Sequence, residues 1–255
     1  MENTQRRVAR AAVLVMAAFA VSRLLGVVRQ MVFGHYFGTG PAMDAYVAAQ
    51  RVPEAIFFVV AGGALGSAFI PLFTGRLARG ETESAWKLAS AIINILLIVL
   101  VPLSLLCIVF APWLVRVLIA PALPPDVQAQ IVALMRVMLL STAIFGVSGV
   151  VMGILNAHQH FLLPALAPIL YNLALIGGGI WGGETGLGPM GPAIGTVLGA
   201  VAHLLIQVPG LIRYGARYWP IVGRGDPGVL QVGKLMAPRV LGVAAVQVNM
   251  LVTNN

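Results

Sequence analysis

The chain has 255 residues, of which 59% are hydrophobic and only 9% charged, with a mean hydropathy of +0.94. Such a composition excludes a water-soluble globular fold, and the length leaves room for roughly six to eight spans of about 20 apolar residues each. Sixteen Lys and Arg against eight Asp and Glu give a net charge of +8; the excess gathers in short loops, the pattern of an oriented membrane protein, so no nucleic-acid partner is expected.

At the N-terminus, Arg6, Arg7 and Arg10 precede the apolar stretch 11–21, and Ala18-Phe19-Ala20 has the form of a signal-peptidase site. Arg23 and Arg29 follow within the same apolar pattern. Positive charge just past an apolar core opposes export, so the segment reads as a first span. Apolar runs predict helices near residues 8–33, 42–74, 86–119, 127–155, 161–182, 188–213 and 229–253, an all-α integral membrane fold of about seven transmembrane helices. Gly38-Thr39-Gly40-Pro41, Pro121 with Pro124-Pro125-Asp126, residues 156–160 and residues 182–186 mark tight connections. Cys107 lies alone in the third run, so neither a disulfide nor a Cys-x-x-Cys metal knuckle is available. Leu96 in the same run is expected to face lipid.

Alternating the loops places Arg6, Arg7, Arg10, Arg76, Arg79, Lys87, Arg213, Arg217, Arg224 and Lys234 on one side and Arg116 alone on the other, which predicts a cytoplasmic N-terminus. Gly62, Gly63, Gly66, Pro71, Gly178 and Gly179 fall within spans. They suit either close helix packing or bent helices around a cavity.

Arg23 lies about 12 residues into the apolar part of the first helix, roughly 18 Å from the inner face. At that depth an arginine costs about 2.5 to 3.5 kcal/mol, so it should meet water or a partner. Arg29 is nearer the outer surface, where it can snorkel. Asp44, Arg51 and Glu54 precede the uninterrupted apolar run 55–73; one helix over 42–74 would set Arg51 about 12 Å below the outer face, level with Arg23. These charges suit internal pairing, Arg51 with Glu54 at i, i+3 and Asp44 with an arginine of the first helix. Intramembrane charge is by default functional, and they better suit an anion site, since guanidinium forks bind the oxygens of a diphosphate bidentately. Arg136 is also deep and has no obvious partner.

His158 and His160 form an HxH in a short loop without Cys or acidic ligands, so they read as loop residues and no metal is expected. Ser22, Ser67 and Ser141 lack a His/Asp constellation, and no HExxH, GxSxG or phosphate-binding glycine loop occurs, which argues against an enzyme and a cofactor. His203, Gln247 and Asn249 are polar groups within spans, where hydrogen bonding between helices is the default role.

The string Ser22-Arg23-Leu24-Leu25-Gly26-Val27-Val28-Arg29, then Phe37-Gly38-Thr39-Gly40 and Met43-Asp44-Ala45, followed by Pro53, Gly63 and Ala68-Phe69-Ile70-Pro71, resembles in order and spacing the signature of the MurJ/MviN-type lipid II flippases. Gly153-Ile154-Leu155-Asn156 with Phe161, Pro164-Ala165, Ala167-Pro168 and Asn172 is similar to that family's connection between helices 4 and 5. Gln207 with Pro209 resembles the end of its helix 6, and Pro238, Leu241-Gly242-Val243 and Gln247 its helix 7. The resemblance implies a MOP-superfamily fold of two six-helix lobes around a central cavity with alternating access. It implies a transporter, not an enzyme, flipping undecaprenyl-diphosphate-linked peptidoglycan precursor, lipid II, across the bacterial cytoplasmic (inner) membrane.

On that reading residues 1–222 form the N-terminal six-helix lobe, and residues 223–255 a loop and helix 7, the start of a second lobe. The expected partners are lipid II, membrane lipids and that C-terminal lobe. Arg23-Leu24-Leu25-Gly26-Val27 recurs loosely as Arg239-Val240-Leu241-Gly242-Val243, as a second lobe beginning there would show. Arg23 and Arg29 match the family's functional helix 1 arginines, Asp44 its acidic residue at the outer end of helix 2, and Arg51 a position often basic. These four are the expected substrate-binding residues. Phe57 and Phe58 depart from an arginine pair common in the family, and Gln30 from a common Asp. The rivals are another MOP exporter, for polysaccharide-linked lipid or drugs, which a cavity lined by carboxylates would favour, a fragment without function of its own, and a membrane enzyme or non-transporting binding partner.

Overall fold

In hydrocarbon a backbone can satisfy its N–H and C=O groups only within a helix or a closed barrel, and every regular element among the described residues is helical. The computed structural model describes the backbone of residues 2–61 and 68–253 and the side chains of residues 13–57 and 68–238. Helices α1 (Glu2–Phe37), α2 (Pro41–Ala61) and α3 (Ile70–Ala78) are followed by α4 (Thr82–Val109) and the single turn α5 (Ala111–Leu114). A π-helical turn, Val115–Ile119, leads to α6 (Pro125–Ala157), α7 (Leu162–Glu184), α8 (Met190–Leu205), α9 (Val208–Arg213) and α10 (Pro227–Thr253). Gly62, Gly63, Gly66 and Ser67 lie outside the described residues, as do the side chains of Phe58, Arg239, Gln247 and Asn249.

Five segments, Val13–Phe37, Thr82–Val109, Pro125–Ala157, Leu162–Glu184 and Met190–Arg213, are long and apolar enough to cross a membrane. The two further expected helices are present as α2 and α10. In α2 the charges Asp44, Arg51 and Glu54 fall within 21 residues and interrupt the apolar run.

α6 occupies the centre, with α2, α4 and α8 packed around it; α7 lies on α8, α1 on α7, and α10 against α2. Leu134, Met135, Met138, Leu139, Ile154 and Leu155 of α6 are fully buried. Leu96 corrects the lipid-facing expectation: it is 6% exposed and belongs to the core. An apolar helix with no polar face carries no sequence mark of which side meets protein.

Two predicted helices are interrupted. The run 86–119 breaks at Phe110, because Pro112 has no N–H with which to continue the ladder, so the carbonyl of Ile108 loses its i+4 donor. Arg136 of α6 supplies the replacement, its Nε donating to Ile108 O at 3.1 Å. The partner that the sequence did not reveal is thus a backbone group. The run 188–213 breaks between Leu205 and Val208, just before Pro209.

Close packing explains the described span glycines. A Cβ on Gly178 would lie 2.6 Å from the Gly191 carbonyl oxygen, and one on Gly195 2.7 Å from that of Ala174, so α7 and α8 touch backbone to backbone. Gly179 similarly admits the Phe33 ring of α1, 2.8 Å from where its Cβ would stand.

At the end of the bundle holding residues 76–86, 157–162 and 213–227, His158 is more than a loop residue. Its ring stacks on Tyr214 at 4.2 Å and 8° and stands edge-on to Phe73 at 5.8 Å. Arg76, 9% exposed, donates from Nη1 to Ser84 O (2.9 Å) and Asp226 Oδ2 (2.8 Å), while its Nη2 pairs with Asp226 Oδ1. This bidentate pair ties α3 to the segment entering α10. Burial pushes the His158 and His160 imidazoles below their ordinary values, and the Arg76 hydrogen bonds hold the Asp226 carboxyl below its own.

Candidate binding site on the first two helices

The residues of α1 facing α7 recur at helical spacing, Ala18, Ser22, Leu25, Arg29, Phe33 and Tyr36, all buried or half-buried. Asn172 of α7 fixes this register, its Nδ2 approaching Ser22 O and Oγ at 3.4 Å each. Arg29 lies on that stripe, with its Nε buried and without a hydrogen-bond partner. Its charge reaches Glu54 and the phenols of Tyr46 and Tyr171. Arg23, six residues earlier and so about 120° around the helix, is exposed. It forms no hydrogen bond or ion pair among the described residues.

Asp44 and Arg51, seven residues apart, share a face of α2. Both line a cavity of about 420 Å³ closed by residues 119–123. Arg51 reaches the carbonyl of Ile119, with Nη1 to O at 3.4 Å. Arg51 thus meets a backbone carbonyl rather than Glu54, its partner in the alternative reading of internal pairing. The ion pairs among the described residues are Arg76–Asp226, Arg79–Glu81 and Lys87–Glu83, so Asp44 does not pair with an arginine of α1 either. The four expected residues therefore fall into three places: Asp44 with Arg51, Arg29 on the α7-facing stripe of α1 within electrostatic reach of Glu54, and Arg23 apart.

A second cavity of about 420 Å³ lies inside the lobe between α2, α6, α7 and α8, lined by Gln50, Glu54, Thr142, Tyr171, Thr196 and His203 among others. His203 makes the expected contact between helices, Nδ1 to Ser148 Oγ at 2.7 Å, and Gln207 Nε2 donates to the same hydroxyl at 2.8 Å. Glu54 was visible in the sequence as an intramembrane charge. Its grouping with polar residues of three other helices was not, because each of those is a single polar residue in an apolar run.

The described residues form a bundle of apolar helices with arginines on its first two helices and an internal cavity, and solved structures share this fold. An archaeal MOP-superfamily transporter from Pyrococcus furiosus superposes with a TM-score of 0.74 at 20% identity, over 94% of this chain and 54% of the other. The Vibrio cholerae MATE transporter VcmN superposes at 0.71 and 18%, over 95% and 55%. These likenesses establish the MOP fold. A sequence model of the lipid II flippase MurJ family matches residues 33–255, and the chain belongs to that family. The MurJ flippase of Burkholderia cenocepacia is 28% identical over 254 residues, covering 96% of this chain and 49% of the relative. A probable MurJ of Vibrio cholerae is 29% identical over 266 residues, covering 98% and 49%. A MurJ structure in an inward closed conformation superposes with a TM-score of 0.76 at 25% identity, over 94% and 49%. The chain spans about half the length of the curated relatives it matches.

Proposed function

We propose that the chain supplies the N-terminal lobe, residues 1–222, of a lipid II flippase, with residues 223–255 beginning a second lobe that closes the substrate cavity. The lobe works in the bacterial cytoplasmic membrane with its N-terminus in the cytoplasm, an orientation supported by the ten-to-one distribution of loop Lys and Arg. Lipid II passes from the inner to the outer leaflet by alternating access, and no catalytic step is invoked. Membership of the MurJ family is the observation that carries this reading.

Arg23, Arg29 and Arg51 provide the cationic groups for the lipid diphosphate, with Asp44 helping to orient Arg51 across their shared cavity. Arg23 is the sharpest test, because a structural role would need a partner and it has none among the described residues. Arg23→Ala should leave membrane abundance and melting temperature unchanged while removing lipid II binding. Arg23→Lys, which keeps charge without the fork, should retain part of it. A variant that unfolds, and recovers both stability and binding when Asp44 or Glu54 is neutralised, refutes the ligand role.

A further inference from the structure

The cavity between α2, α6, α7 and α8 is the opposite of a phosphate site. Its lining includes one carboxylate, Glu54, and no lysine or arginine among the described residues. Four rings line the same cavity, three of them packed on the fourth: Phe145 meets Phe57 at 5.6 Å, Tyr171 at 5.2 Å and His203 at 5.6 Å, each edge to face or steeply tilted. Ring faces carry negative potential and attract cations, most strongly where water is excluded. The hydroxyl of Thr142, 2% exposed and lining the same cavity, has no hydrogen-bond partner. A buried hydroxyl left unpaired is costly, and a ligand N–H would relieve it.

We propose that this cavity is a binding site for an organic cation, an aromatic or alkyl ammonium that sets its charge against Glu54 and the aromatic faces and donates an N–H to Thr142. A volume of about 420 Å³ with mostly apolar walls and a few converging polar groups suits a ligand of that size. A bare metal cation fits less well, because hard cations take six or more oxygen ligands, commonly from several carboxylates, whereas this lining offers the one carboxylate Glu54 among mostly apolar walls. The charged group competing for Glu54 is Arg29, which reaches it electrostatically from α1 without lining the cavity. A bound cation therefore works against Arg29, and an anion held by Arg29 would free Glu54 for it.

The test uses ethidium, a flat aromatic cation with two exocyclic amines, and its uncharged analogue 3,8-diamino-6-phenylphenanthridine. Both are titrated by fluorescence anisotropy against the purified chain in phosphatidylcholine nanodiscs at neutral pH, with empty nanodiscs subtracted. The expected result is saturable ethidium binding that Glu54→Gln weakens about tenfold or more and Thr142→Val by a smaller factor, with the uncharged analogue binding as weakly as ethidium to Glu54→Gln. Arg29→Gln should tighten ethidium binding, which a site dependent on that arginine would not do. Melting temperatures of all three variants matching the parent assign the losses to the site. Ethidium binding that is unsaturable, equal for the folded Glu54→Gln variant, or equal for the uncharged analogue overturns the proposal. None of these readouts depends on the diphosphate lipid.

Discussion

Replacing Arg136 by methionine should weaken the chain in a way that depends on residue 112 being proline. The carbonyl of Ile108 would ordinarily accept from the N–H four residues on, and Pro112 has none to give, so Arg136 Nε takes that place at 3.1 Å. Methionine keeps the length of the side chain and removes the donor. A hydrogen bond between membrane helices is worth about 0.6 to 1.7 kcal/mol, and an acceptor stranded without water or a partner costs about 1 to 3 kcal/mol. The coupling between the two positions should therefore be about 1 to 2 kcal/mol. Carrying a guanidinium at depth has its own cost, about 2.5 to 3.5 kcal/mol, which methionine removes in either background. That contribution cancels in a double-mutant cycle, although it can mask the single substitution. The assay is reversible unfolding in mixed micelles of the parent, Arg136→Met, Pro112→Ala and the double variant. Pro112→Ala restores the N–H, so Arg136→Met should be more harmful in the parent than in the Pro112→Ala background by that amount. Additivity within about 0.3 to 0.5 kcal/mol would refute the idea that Arg136 replaces the missing donor.

Acid should erase the difference between Asp226→Asn and the parent. The Arg76 hydrogen bonds lower the Asp226 carboxyl, so the pair stabilises above the ordinary Asp range and is lost as pH falls through the depressed value. The melting temperature of Asp226→Asn should be lower at neutral pH and converge with the parent only as pH falls below the ordinary Asp range and through the depressed value; a gap that stays constant as the carboxyl is protonated means the charge is not the cause. Gly195→Ala should cost about 1 to 3 kcal/mol by forcing α7 and α8 apart, whereas Gly26→Ala, with nothing within 4 Å of the new Cβ, should be neutral or slightly stabilising. Equal melting temperatures for the two glycine variants would count against backbone contact between α7 and α8. Reporter fusions after residues 80, 158 and 222 should read cytoplasm, and those after 40, 123 and 186 the outer side. An outer signal at 80 or 222 would reverse the topology.

The helices, their approximate order and the tight connections were legible in the sequence, because hydropathy measures a local cost: each residue either tolerates lipid or does not, and Gly and Pro punctuate wherever they stand. The family signature was legible for the same reason, as a string of neighbouring residues, and the family match over residues 33–255 bears it out. Pairing was not legible. Arg51 and Glu54 stand at i, i+3, which favours contact on any helix, yet the Ile119 carbonyl arrives from a segment 68 residues away and takes the guanidinium. Arg136 could not be matched to Ile108, nor Arg76 to Asp226 across 150 residues, since a backbone carbonyl or a distant loop carboxylate leaves no mark near its partner. Leu96 is buried for a reason equally invisible in one dimension: α4 is apolar on every side, and only its packing on α6 selects the face that leaves the lipid. Tertiary packing also brought Glu54 within electrostatic reach of Arg29 and set Arg51 beside residues 119–123. It divided one stretch of charges between separate cavities, because a helix turns about 100° per residue and neighbours in sequence come to face different helices.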